Sequence, residues 1–194
     1  MAEPYDPLSY DNIARSVVTA LIEQEPEPLP PADAFDGAGV YAIYYTGAFP
    51  AYGAIASPPC DRPIYVGKAI PAGARKGQAT GGGGQGTPLF RRLGEHAKSL
   101  DQAENLALAD FRCRYLVVVP VWIPLAERFL ITHYQPVWNT LVDGFGNHDP
   151  GKGRRAMRRP RWDILHPGRP WAARLEAAES PDDVAGALEK FLAG

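Results

Sequence analysis

Three short runs of β-branched and aromatic residues constrain this chain most: V-Y-A-I-Y-Y-T at 40–46, P-I-Y-V-G-K at 63–68 and F-R-C-R-Y-L-V-V-V at 111–119. Such residues suit a pleated, half-buried surface, so each run predicts a strand. Between the second and third, Thr87 and Pro88 read as the N-cap and first turn of a helix reaching about Leu100. P-L-A-E-R-F-L-I-T-H-Y at 124–134 predicts another helix, opened by Pro124. The order strand, strand, helix, strand, helix gives an α+β fold, a small mixed or antiparallel three-stranded sheet flanked by helices.

Appendages flank this core. Ile13, Val17 and Leu21 recur at helical spacing behind Ser9 or Asp11 as cap, which predicts an N-terminal helix. The run E-P-E-P-L-P-P at 25–31 reads as a linker. Q-P-V-W-N-T-L at 135–141 reads as a short extended or turn element, and two short helices are expected near 171–178 and 181–192. The expected organisation is an N-terminal helix and linker over 1–34, a core over 35–142, and a basic loop with C-terminal helices packed on the core over 143–194. Residues 71–86, mostly Gly, Ala and Gln, cannot pack a core and read as a mobile loop.

With 45% hydrophobic residues the chain can bury a real core. Cys60 and Cys113, far apart, exclude a disulfide scaffold and a four-thiolate zinc site, and suggest a reducing compartment. No run approaches 18 apolar residues and the N-terminus does not read as a secretory signal, so a cytoplasmic protein without a membrane span is expected. The formal net charge of −2 argues against a nucleic-acid binder until the chain is divided. Residues 1–63 carry a net −7, residues 64–170 a net +8 and residues 171–194 a net −3. A phosphate-binding surface needs local positive potential, and the central segment has it.

Chemistry concentrates in the same segment. Gly39-Val40-Tyr41 opens the first strand and Tyr65-Val66-Gly67 lies on the second, with Lys68 directly after it. Arg92 and His96 stand four apart on the next helix and so share a face. Glu127 lies on the following helix, and Asn139 is 12 residues further on. Taken singly, Tyr41 and Tyr65 are ordinary sheet tyrosines, His96 a solvated helix residue, Glu127 a surface partner of Arg128, and Asn139 the close of a turn. Their order is what matters: this series resembles the GIY-YIG nuclease superfamily over residues 35–142. The Arg/His pair four apart resembles its type II restriction endonuclease branch; repair and homing members usually carry tyrosine at the position of His96. Valine replaces both central isoleucines of the triplets, and 23 residues separate Tyr41 from Tyr65.

The resemblance implies a GIY-YIG-like core and a double-strand DNA endonuclease that leaves 3′-hydroxyl and 5′-phosphate ends. Hydrolysis of a phosphodiester needs an activated water, charge neutralisation and a stabilised leaving oxygen. Glu127 is a hard oxygen ligand suited to one Mg2+ per site, for which Mn2+ could substitute. Arg92 offers a fixed fork of donors to phosphate. The resemblance makes Tyr41 the general base or water-positioning group. His96 could relay or accept that proton, Tyr65 and Lys68 would orient or neutralise the phosphate, and Asn139 would buttress the site. Which of Tyr41, Tyr65 and His96 is the base stays open.

K-G-R-R-A-M-R-R-P-R at 152–161 holds six basic residues, Lys152, Arg154, Arg155, Arg158, Arg159 and Arg161. With Arg75 and Lys76 they are the candidate DNA grip. Arginine's bidentate match to guanine suggests a GC-containing site, and a palindromic one is read most simply by a homodimer. Rival readings are a structure-selective repair or mobile-element nuclease, and a nucleic-acid-binding module that keeps the fold without catalysis. The run G-G-G-G-Q-G-T at 81–87 lacks the lysine of a phosphate loop, and His133 and His148 have no partner at metal-ligand spacing.

Overall fold

The computed structural model describes residues 4–71, 86–149 and 157–193. Its sheet has four antiparallel strands in the order β1-β4-β2-β3. Strands β2 (Gly39–Tyr45), β3 (Tyr65–Ala69) and β4 (Phe111–Val117) are the three expected ones. The fourth, β1 (Glu27–Pro28), arises within the proline-rich run read as a linker. It pairs with Arg112 and Cys113 at the outer edge of β4, where a proline is tolerated because no further strand needs its missing N–H.

Strand β2 is buried on both faces along its whole length. Val40, Ala42 and Tyr44 face α1 (Tyr10–Ile22) and α3 (Ile123–Tyr134), packing with Val18, Leu21, Ile123, Ala126 and Leu130. Tyr41, Ile43 and Tyr45 face the opposite layer, with Leu89, Leu93 and Leu100 of α2 (Pro88–Asp101). Burying two faces explains why the run reads as nearly continuously apolar rather than alternating.

Trp138 belongs to a one-turn helix, α4 (Val137–Thr140), where the sequence suggested an extended or turn element. The C-terminal segment enters the α2-side layer through Trp162, Ile164 and Leu165 of α5 (Arg161–Leu165) and Val184 and Leu188 of α7 (Pro181–Ala193). Between them lies the short α6 (Pro170–Ala173). Helix α5 sits at the end of the basic run, where charge masks the apolar Trp162, Ile164 and Leu165. Ser9 caps α1 by accepting from the Asn12 amide. Thr87 precedes α2 without a side-chain cap bond, so Pro88 alone marks that start. Both cysteines are free and buried. No helix among the described residues is long and apolar enough to cross a membrane.

Candidate active site

Tyr41 projects from the middle of β2 toward α2 and is only 1% exposed. Its partner across the ladder is Gly67, where a Cβ would lie 2.4 Å from the Tyr41 hydroxyl oxygen. The glycine of the second triplet therefore makes room for the tyrosine of the first. Helix α2 brings His96 to the same point, with Nε2 at 2.6 Å from that hydroxyl. Burial first, then the neighbouring Tyr65, pushes the Tyr41 phenol well above its usual 10, against the opposing charge of Arg92. Burial, then the charges of Arg92, His148 and Arg169, hold the His96 imidazole well below 6.5. Tyr41 thus keeps its proton and donates it to a neutral imidazole.

Arg92, one turn before His96, donates to Glu95 Oε2 at 2.8 Å and to the Gly146 carbonyl at 3.0 Å. Its Nη1 is also 2.5 Å from His148 Nε2. Tyr65 packs edge-on against His96, and burial raises its phenol while Arg92 opposes the shift. Lys68 pairs in register with Val40, so it faces α3, and its Nζ donates to Glu127 Oε2 at 2.5 Å. The constellation therefore wraps around β3, the edge strand. Tyr41, Tyr65, Arg92 and His96 gather on one side of the strand and Lys68 with Glu127 on the other. The Glu127 charge still reaches both tyrosines and raises them. Asn139 closes the outer edge of β3: its amide accepts from the Val66 N–H and donates to the Val66 carbonyl, each at 2.8 Å.

A family model, the Eco29kI GIY-YIG domain, matches residues 33–192. The chain belongs to the Eco29kI GIY-YIG family. It is a restriction-type nuclease, a DNA endonuclease, and DNA is its partner. No curated protein matches the chain. The family match runs past residue 142, where the motif series ends, through α5, α6 and α7.

Several residues of this family member's site carry no local signature. Phe145 stacks on His96 with ring centroids 4.6 Å apart and planes 18° from parallel. Gly146 gives Arg92 its carbonyl, and a Cβ there would sit 2.7 Å from the Tyr65 hydroxyl. His148, without a partner in sequence spacing, meets Arg92 and Glu95 in space. The one available signal was the Gly-x-Gly pair bracketing Phe145.

Of the candidate DNA grip, Arg75, Lys76, Lys152, Arg154 and Arg155 lie outside the described residues, as does nearly all of the glycine-rich segment. Arg158 is exposed. Arg159 donates to the carbonyls of Ala172 and Ala173, and Arg161 grips Glu179 with two bonds of 2.7 and 2.6 Å. Both guanidinium groups thus fasten the C-terminal helices, which local charge density could not reveal. Among the described residues no three His, Cys, Asp or Glu side chains gather as a metal cluster. Glu127, partly exposed and engaged with Lys68 through Oε2, is a single hard carboxylate. That donor set fits a divalent cation that keeps most of its waters.

A second buried imidazole lies behind the site. His166 Nε2 accepts from the Tyr52 hydroxyl and its Nδ1 donates to Asn105 Oδ1 at 2.9 Å. Burial pushes it down to about 3. Between that value and the unfolded value near 6.5, the unfolded chain binds a proton that the folded chain refuses. Stability is therefore complete above 6.5 and falls as pH drops, by about 1 kcal/mol per pH unit for each such histidine. Urea unfolding at pH 7 and pH 5 checks this. The His166→Gln protein should lose less stability over that interval than wild type, and equal losses would contradict a buried neutral His166.

Proposed function

We propose that the protein is a type II restriction endonuclease of a restriction-modification system in the cytoplasm. It hydrolyses both strands of double-stranded DNA at a GC-containing palindrome, acting as a homodimer with one Mg2+ per site, or Mn2+ in its place. The observation that carries this reading is the Tyr41–His96 hydrogen bond beside the Arg92 fork. Tyr41 takes a proton from the attacking water while its own proton passes to His96 Nε2. Burial and the Arg92 charge together disfavour imidazolium. A bound phosphate offsets the Arg92 charge, so substrate itself raises the affinity of His96 for the proton. Tyr65 and Lys68 orient and neutralise the phosphate, and Asn139 fixes the strand that carries them. Glu127 would hold the metal, which supplies charge neutralisation and a stabilised leaving oxygen when bound.

For the DNA grip, the proposal keeps Arg158 together with Arg75, Lys76, Lys152, Arg154 and Arg155, and sets aside Arg159 and Arg161, whose donors are engaged within the fold. Arg158→Ala should weaken binding evenly across sequences and lower the dependence of log affinity on log salt by about one unit. Unchanged affinity and slope would remove Arg158 from the grip. The reading as a whole is tested by incubating mixed plasmid DNA with the protein and Mg2+, then sequencing the fragment ends. Discrete fragments with 3′-hydroxyl and 5′-phosphate ends at one palindrome support it. Cutting confined to branched substrates favours a repair nuclease, and DNA bound but intact favours a binding module.

A further inference from the structure

Arg169 is 2% exposed, and each of its five N–H groups has its own acceptor. Nε and Nη2 form a fork with the two carboxylate oxygens of Asp163, at 2.6 and 2.5 Å. The remaining donors reach the carbonyls of Gly144, Phe145 and Asn147 at 2.9, 3.0 and 3.1 Å. The indole of Trp162 stacks on the guanidinium at 4.4 Å, with that of Trp171 at 4.8 Å. The carbonyl left out of this set, Gly146, is the one taken by Arg92. Four successive carbonyls of one turn are therefore held by two arginines, Arg169 from behind and Arg92 from the site.

The turn has little freedom besides. Gly144 has a φ of +103°, and a Cβ there would lie 2.1 Å from Pro160 Cβ. The Asn147 amide closes the turn by donating to the Gly144 carbonyl at 3.0 Å. What it presents forward is the Phe145 ring on His96 and the Gly146 carbonyl on Arg92.

We propose that Arg169 is a positioning residue of the nuclease centre, fixing through the 144–147 turn the His96 ring and the Arg92 guanidinium. It touches no reacting atom. The proposal rests on the nuclease reading of the site. Lysine in its place keeps the charge but cannot span Asp163 and three carbonyls with a planar fork. The turn then drifts, and both groups it supports lose their aim.

The test compares wild type with Arg169→Lys, Asp163→Asn and Leu188→Ala, the last removing a buried contact on α7. Cleavage of plasmid DNA with Mg2+ gives kcat and KM, and NMR of ring nitrogens gives the His96 signals without substrate. Arg169→Lys should lower kcat about 100-fold with KM little changed and should move the His96 signals. Asp163→Asn, which keeps the shape of the fork, should shift both readouts in the same direction by less. Leu188→Ala should leave both as in wild type at a temperature where it is folded. Wild-type kcat and His96 signals in Arg169→Lys would overturn the proposal, as would an equal loss in Leu188→Ala. Should Arg169→Lys not fold, Asp163→Asn decides by the same criterion. A wild-type protein that cuts nothing defeats the nuclease reading, while the His96 signals still test the positioning.

Discussion

Cleavage by the Glu127→Ala protein should fall by about 1,000-fold or more, while its affinity for DNA should stay within about threefold of wild type. Glu127 is the carboxylate on the α3 side of β3, and the other acid near the cluster, Glu95, is already bound to Arg92. If Glu127 holds the metal as proposed, its loss would withdraw several kcal/mol of transition-state charge stabilisation, and about 4 kcal/mol is a factor of 1,000. The fold should hardly notice. The side chain is partly exposed, its pair with Lys68 is a surface pair of about 1 kcal/mol at most, and alanine suits the helix. Cleavage at the wild-type rate in Mg2+ would remove Glu127 as ligand. Lost affinity with lost cleavage would instead mark it as a residue of the DNA-binding surface.

Tyr41→Phe should lower kcat by a factor of about 100 to 10,000 with KM nearly unchanged. The phenyl ring keeps the slot beside Gly67, so packing survives and only the hydroxyl bonded to His96 Nε2 is lost. That bond is worth about 1 kcal/mol to stability, with a further cost for the unpaired nitrogen. His96→Ala should produce a loss of similar size, and the double variant should be scarcely worse than either single one. Two groups that pass one proton act as a unit, so their losses do not multiply. Independent, multiplying losses would separate them and return the choice of base to Tyr65.

The strands were legible because their signal is local. Val40 to Tyr45 and Phe111 to Val117 are rich in β-branched and aromatic residues, and the structure places β2 and β4 there. Arg92 and His96 were legible as a pair because helical period puts i and i+4 on one face. Strand β1 was not, since two residues in a proline-rich run acquire strand geometry only from pairing with β4. Helix α5 was hidden for a related reason: Trp162 and Leu165 are recognisably apolar, but they follow six cations within ten residues. Phe145, Gly146 and His148 derive their place from contacts some fifty residues away in sequence, which no period records. Arg159 and Arg161 show the converse. Their charge was plain, but the carbonyls and the carboxylate that absorb it are set by how the C-terminal helices fold back.

The amide of Asn139 on Val66 has a consequence for crowding. An open sheet edge is a template onto which another copy's strand can add, and two copies drawn to one stretch of DNA meet at high local concentration. Here the outer side of β3 is occupied at its centre by a side chain that mimics a neighbouring strand, donating and accepting at once. The opposite margin ends in two residues, one of them a proline with no N–H to offer. The Asn139 amide thereby closes the centre of β3 to strand addition. A second copy bound beside this one on a duplex would find that stretch of β3 already paired, so contact there would fall to side chains and leave each sheet intact.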